Sequence, residues 1–383
     1  MKIILAPDSF KGSLSAIKVA QTMQKAIKDI DDTNDIVLKP MADGGEGTME
    51  AMLSSIPGEK ISIACVGPLG EKINTHYAIL ESKKAVIELA AIAGLIQVPI
   101  EKRNPDHTTT FGLGEAICDA LDKGCTSITV CIGGSATNDG GLGMLLALGM
   151  KAWDEKGDQL EGRGKDLHQV NRVCFENIDK RIKDVEINVA CDVDNPLTGN
   201  NGASVVYGPQ KGASQTQVIQ YDKSLSNYGE LLEGVLKKSL KEIPGAGAAG
   251  GVGFALLAIG AELVSGAELL ANIMGLEDSI KEADLVITGE GQSDEQTLYG
   301  KAPNHVALLA NKYEVPVILL SGSLTGDTDK LREKFTGCFS IITKPSTLAE
   351  CMLDAEVLLY EQTKQVFHFA RSCSFQTART VAN

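Results

Sequence analysis

Apolar residues along the chain follow three patterns, and the order of those patterns predicts the architecture. The first is a short β-branched run that stops at polar residues and gives way to an amphipathic helix. Residues 2–6 form such a run, halted by Pro7 and Asp8, and a helix is expected from about 16 to 30 with Ser13 or Ser15 as its cap. Residues 35–39 are a second strand, followed by helical periodicity over 49–53. Late in the chain, 285–288, 315–321 and 339–342 repeat the strand pattern, alternating with helices near 303–312 and 349–365. With the two early strands these predict a flavodoxin-like parallel sheet.

The second pattern occupies the middle. Residues 61–66, 73–80 and 85–89 alternate as antiparallel strands do, the first two joined by a Gly67-Pro68-Leu69-Gly70 turn. The third is a buried strand feeding a buried helix: 128–132 is β-branched and apolar, 143–148 is continuously apolar, and a glycine-rich stretch joins them. Another strand is expected at 185–190 and a long helix at 215–236, and 246–263 reads as a close-packed Gly/Ala helix. The expected fold class is α/β with two domains. A flavodoxin-like parallel-sheet domain, residues 1–60 and 283–383, is interrupted by an inserted mixed α/β domain, residues 61–282, with the active site expected in the cleft between them.

Composition narrows the class. At 383 residues the chain exceeds one ordinary core, and 43% apolar with 22% charged residues is the balance of a globular protein. A net charge of −14 repels nucleic acid and anionic lipid, so an anionic substrate needs a local basic pocket. The nine cysteines are scattered without a C-x-x-C pair and read as reduced core thiols of a cytoplasmic protein. The longest apolar segment, 246–261, falls short of a membrane span.

Candidate chemistry gathers where strands end. Asp8, Ser9 and Lys11 follow the first strand; Asp8 and Ser9 serve equally as turn formers. Asp43 and Glu46 flank Gly44-Gly45 after the second strand, more acid than ordinary capping requires, which points to a hard cation or a general base. Gly133-Gly134-Ser135-Ala136-Thr137-Asn138-Asp139-Gly140-Gly141 lies between a strand and a helix, where free backbone N–H groups favour an anion; the competing account is a tight turn capped by Asn138 or Asp139. Arg103 offers a planar fork for a carboxylate or phosphate beside the hydroxyls of Thr108, Thr109 and Thr110. Asp192 and Asp194 precede the Asn195-Pro196 turn, and Lys211 sits in a glycine-flanked loop as a phosphate contact or a loop lysine. Glu290, Asp294 and Lys301 crowd the end of the 285–288 strand. Gly245-Ala246-Gly247-Ala248-Ala249-Gly250 matches G-x-G-x-x-G literally, but no strand is expected to feed it, so a dinucleotide site is rejected.

Taken together these stretches resemble the type I glycerate kinase family. The match lies in Ala6-Pro7-Asp8-Ser9-Phe10-Lys11-Gly12-Ser13, Ala42-Asp43-Gly44-Gly45-Glu46-Gly47-Thr48, Arg103-Asn104-Pro105 with Thr109-Thr110, residues 133–141, the residues from Cys191 to Leu197 with those from Gly208 to Ala213, those from Gly245 to Gly251 and those from Thr288 to Lys301. The resemblance implies ATP-dependent phosphorylation of D-glycerate with magnesium, 2-phosphoglycerate being favoured over 3-phosphoglycerate as product. On that basis Asp192, Lys11 and Asp43 are the expected catalytic residues, Asp192 as the base because it leaves a strand just before a turn. Gly133, Gly134, Ser135, Asn138, Lys301 and Asp294 are expected at the nucleotide, Ser9, Arg103 and Thr109 at the substrate, and Asp43 and Glu46 at the metal. The expected partners are glycerate and ATP, with no nucleic acid and no membrane; a homodimer is the one assembly considered. Two other classes fit parts of the pattern: a nucleotide-dependent oxidoreductase of a small hydroxy acid, and a non-catalytic small-acid sensor. The tail from Arg371 matches no recognised stretch.

Overall fold

The computed structural model describes residues 1–381, with backbone alone for 373–381. The chain divides into two compact units, one of Met1–Asp43, Glu50–Ser55 and the residues from Ala267 onward, the other of Gly44–Met49 and Ile56–Gly266.

The first unit is built on a parallel sheet whose strands lie in the order Asp35–Leu38, Lys2–Leu5, Leu285–Thr288, Val317–Ser321, Gly337–Ser340. Numbered along the chain this is 2-1-3-4-5, the flavodoxin-like order. Ile3 stands opposite Leu285 on one side and Ile36 on the other, and Leu5 opposite Ile287 and Leu38. The β-branched runs are buried on both faces, as a covered parallel sheet requires: Ile3, Leu5, Ile287 and Leu320 pack with Val19, Met23 and Ile27 and with Leu359, Val366 and Phe367. Each such fully buried side chain contributes about 1.5–3 kcal/mol. The first trio comes from the helix Ala16–Lys28, where Ser15 accepts the Lys18 N–H as cap; the second comes from Ala355–Val381. Chain order reverses between Lys2–Leu5 and Leu285–Thr288, the position in an open parallel sheet at whose C-terminal strand ends ligands bind.

The second unit holds a mixed sheet in the order Glu262–Val264, Glu186–Ala190, Ser127–Cys131, Lys84–Glu88, Lys72–Leu80, Gly58–Val66. Lys84–Glu88 is the junction between the two patterns, antiparallel to Lys72–Leu80 and parallel to Ser127–Cys131. Helices Phe111–Asp122, Leu142–Ala147 and Gln215–Leu236 contribute Leu113, Ile117, Leu142, Leu145, Tyr221 and Leu225 to its core.

Three expectations change. The expected boundary at 60/61 moves to Ser55/Ile56, with Gly44–Met49 also grouped in the second unit, and that at 282/283 moves to Gly266/Ala267, because helices Gly266–Ile273 and Leu276–Lys281 precede the Leu285–Thr288 strand and, from Ala267, group with its sheet. The expected helix 246–263 is only Ala248–Ala258, and within it Ala249, Gly250 and Gly251 have φ of 54°, 72° and 91°. A Cβ on Gly250 would meet the Thr137 carbonyl oxygen at 2.2 Å, so this segment's small residues serve close backbone approach rather than helix. Its end becomes the strand Glu262–Val264, parallel to Glu186–Ala190. The helix expected at 349–365 is two, Leu348–Leu353 and Ala355–Val381, and the second carries the chain through the unplaced tail to the end of the described residues.

Candidate active site

In the first unit, the strands on either side of the chain reversal deliver their polar residues to one place. The Asp8 N–H donates to the Gly289 carbonyl (2.8 Å), which fixes the loop after Lys2–Leu5 against the loop after Leu285–Thr288. Glycines flank Glu290 for a steric reason. A Cβ on Gly289 would fall 1.8 Å from the Leu320 carbonyl oxygen. Held there, Glu290 is 8% exposed. It accepts the hydroxyls of Thr297 (2.6 Å) and Ser293 (3.1 Å), and its other oxygen lies 3.4 Å from the Lys301 ammonium. Lys11 donates to Asp43 at 2.5 Å. Asp294 spends its carboxylate on the Gln296 N–H (2.8 Å), capping the turn Glu295–Leu298. The Ser9 N–H donates to the Asp8 carboxylate at 2.5 Å.

The two lysines pair Asp43 and Glu290, which leaves the Asp8 carboxyl without a cation of its own. Burial, then the Asp43 carboxylate and more weakly that of Glu290, push Asp8 up to about 7, against the Ser9 N–H and Lys11, which pull it down. Partial burial alone would lower Lys11, yet Asp43, Asp8 and Glu290 leave its ammonium raised and firmly protonated. Asp8, Asp43 and Glu290 thus face Lys11 and Lys301, and negative charge comes into excess only as Asp8 ionises, around pH 7.

In the second unit, the glycine-rich turn is organised by a residue absent from the expected site. Asp139 is fully buried and accepts the Thr110 N–H (2.8 Å), the Thr110 hydroxyl (2.6 Å) and the N–H groups of Gly141 (3.1 Å) and Gly143 (3.3 Å). Burial raises its pKa, and those donors oppose the rise. Gly134 has φ 73°, and a Cβ on Gly133 would meet Gly45 Cα at 2.7 Å. Part of the donor set is spent within the unit: the Gly133 N–H on the Gly44 carbonyl, Ala136 on Ala93 and Gly140 on Gly250. Lys211, 2% exposed, donates to the Ser135 hydroxyl (2.9 Å) and the Thr137 carbonyl (2.5 Å). Asn138 donates to the Ser204 hydroxyl (3.0 Å).

The other expected residues of this unit lie in separate settings. Asp192 is exposed and accepts the Gly266 N–H at 2.9 Å, at the first residue of the helix Gly266–Ile273. Arg103 directs its guanidinium to the carbonyls of Val98 and Leu95 (3.3 Å each) and lines a cavity of about 420 Å³ with Leu69, Lys102 and His107. The Thr109 hydroxyl donates to the Gly162 carbonyl (2.7 Å) and accepts the Phe111 N–H (3.1 Å), so it is engaged inside the unit. Glu46 is exposed and belongs to the second unit, whereas Asp43 belongs to the first. No group of three or more His, Cys, Asp or Glu among the described residues has the arrangement of a metal site. The literal G-x-G-x-x-G is preceded by a turn and not by a strand. Among the described residues, no helix is long and apolar enough to cross a membrane.

A family model described as the glycerate kinase family matches residues 3–371. The chain belongs to the glycerate kinase family. Relatives in that family include the Escherichia coli K12 protein described as glycerate 2-kinase, 48% identical over 93% of this chain and 94% of its own length. The glycerate kinase of Halalkalibacterium halodurans is 42% identical over 95% and 97%. The crystal structure of a Salmonella typhimurium LT2 protein assigned as glycerate kinase 2 superposes with a TM-score of 0.87 at 41% identity, covering 98% of this chain and 99% of that one. As a glycerate kinase family member the chain is a kinase that phosphorylates a hydroxyl group. The clusters around Asp8 and around Asp139 lie within the matched residues.

Proposed function

We propose that the protein transfers a phosphoryl group from ATP to a hydroxyl of D-glycerate, with 2-phosphoglycerate as product, as a type I member of its family acting in the cytoplasm. The observation that carries this reading is the crowding of Asp8, Lys11, Asp43, Glu290 and Lys301 at the point where strand order reverses. Phosphoryl transfer needs little covalent help. It needs the phosphates held, their charge neutralised and the attacking hydroxyl oriented. The choice of 2-phosphoglycerate rests on the likeness to the E. coli protein described as glycerate 2-kinase.

The residues present fit magnesium. Asp43 and Glu46 bring hard carboxylate oxygens, and magnesium bound with phosphates takes only one or two protein carboxylates. Asp43 and Glu46 would hold it, and the ion would neutralise charge on the transferring group. Lys11, kept protonated by its neighbours, steadies Asp43 and offers a cation to the phosphates. Lys301 does the same from the Glu290 side, and Asp294 fixes the turn that leads to it. Gly133, Gly134, Ser135 and Asn138 are assigned to the nucleotide phosphates, on a turn whose glycines at 133 and 134 let it pack close to Gly45 and Ala90. Ser9, Arg103 and Thr109 are assigned to glycerate, Thr109 through its backbone setting because its hydroxyl is engaged.

Asp192 is the proposed base for the glycerate proton, a carboxylate at the end of the Glu186–Ala190 strand that accepts the Gly266 N–H. A second reading gives the proton to Asp8, favoured by its near-complete burial beside Lys11 and by a pKa near the working pH. The test is steady-state turnover with ATP, magnesium and D-glycerate. ADP release that requires both magnesium and D-glycerate supports the kinase reading; magnesium-independent binding without ADP release contradicts it in favour of a sensor.

A further inference from the structure

Lys211 is a buried cation whose bonds all go to the glycine-rich turn. It lies at the end of a single turn, Pro209–Lys211, closed by Gly212 at φ 89°. A Cβ on Gly212 would fall 2.1 Å from the Arg103 carbonyl oxygen, so the turn is pressed against the Arg103 segment and the side chain runs inward. There its ammonium holds Ser135 Oγ and the Thr137 carbonyl. The same turn carries the Thr137 hydroxyl, 0% exposed as a residue and without a hydrogen-bond partner, a donor that an anion could satisfy. Buried polar atoms of this kind are costly unless water or a ligand satisfies them.

We propose that Lys211 is a positioning residue for the phosphate donor: through Ser135 and Thr137 it sets the 133–141 turn for an anion and supplies the buried positive charge to which that anion responds. This rests on reading the turn as the ATP phosphate site. A lysine serves that purpose without touching the ligand, because a fixed charge in a medium of low dielectric acts over a longer distance than in water. Burial pulls Lys211 down to about 7, with the Asp139 carboxylate opposing the fall. The titratable groups on the surrounding elements are Asp139 on the turn, Tyr221 and Tyr228 on the helix Gln215–Leu236, and Arg103 on the segment against Gly212. Burial pushes both tyrosines far above their ordinary range, so they stay neutral up to pH 9. Lys211, pulled down to about 7, gives up its proton as pH rises above 7, and the turn then loses its cation.

The experiment compares the full-length protein with Lys211→Met, reading calorimetric Kd values for ATP with magnesium and for D-glycerate from pH 7 to 9, together with kcat. For Lys211→Met at pH 7 the ATP Kd is expected to rise about tenfold, with the glycerate Kd and kcat within about threefold. The wild-type ATP Kd rises toward pH 9, and that of the variant stays flat. An unmoved ATP Kd in Lys211→Met, or a loss confined to glycerate, overturns the proposal. If the variant does not fold, the wild-type profile decides alone: an ATP Kd flat from pH 7 to 9 overturns it. Wild-type protein that binds ATP without turning over contradicts the kinase reading but leaves this comparison intact, so the two failures are distinguishable.

Discussion

The Lys11 ammonium lies 2.5 Å from the Asp43 carboxylate and ties the loop after the first strand of the parallel sheet to the loop after the second. This pair is exposed enough that its worth to stability is small: the side chains are 75% and 34% accessible, the range in which ion pairs contribute about 0–1 kcal/mol. Its value is electrostatic and local to the site. Lys11→Met is therefore expected to leave the urea midpoint nearly unchanged and to lower kcat/KM by about 100-fold or more. Asp43→Asn, in the same assay, raises the magnesium concentration needed for half-maximal rate. A Lys11→Met enzyme with near-normal kcat/KM removes Lys11 from the site.

Asp8 makes a prediction about stability that follows from sign alone. Its folded pKa, about 7, is above the ordinary value of 3.8, so between these the folded protein keeps a proton that the unfolded chain has released. Stability is therefore lost as pH rises from about 4 to about 7, and the full cost stands above 7. Asp8→Asn removes that cost while keeping an acceptor for the Ser9 N–H. The variant is expected to be more stable than wild type at pH 8, by roughly 1–4 kcal/mol, with the gain vanishing toward pH 4, and to be impaired in turnover. Chemical denaturation at the two pH values checks it; equal stability at pH 8 shows that Asp8 ionises without penalty.

For Asp192 the two assigned tasks separate on substitution. Asparagine retains an acceptor for the Gly266 N–H, so folding is preserved, while a base is abolished. Asp192→Asn should lower kcat by about 100-fold or more with KM for glycerate within a few-fold. A kcat within threefold of wild type across pH moves the base to Asp8.

Gly134 holds φ 73°, a conformation that a β-branched residue resists. Gly134→Val is expected to cost about 1–3 kcal/mol and to weaken ATP binding more than Ser135→Ala, which removes one acceptor from Lys211. Unchanged ATP affinity in both variants leaves the turn structural.

Much of the sheet architecture was legible because buried parallel strands announce themselves as short β-branched runs that end in polar residues. The runs at Lys2–Leu5 and Leu285–Thr288 carried that signal, and they pair directly. What could not be read were features created by distant approach. The segment after Gly245 has a helical composition, yet Gly250 must pass the Thr137 carbonyl, and that contact sets its backbone. Asp8 has the sequence signature of a turn former; its N–H is tied to Gly289, and its raised pKa comes from burial and from the Asp43 and Glu290 carboxylates, all distant along the chain. Lys211 resembles any loop lysine until Gly212 is seen against Arg103. Conversely Thr109 sits in a hydroxyl-rich stretch that suggested substrate, and its neighbour Thr110 binds Asp139 instead.

The most direct measurement is the identity of the product. Wild-type protein incubated with ATP, magnesium and D-glycerate, followed by phosphorus NMR with authentic 2- and 3-phosphoglycerate as standards, is expected to yield the 2-phosphoglycerate resonance in step with ADP. A 3-phosphoglycerate resonance, or ADP that accumulates with no phosphoglycerate, contradicts the proposed reaction.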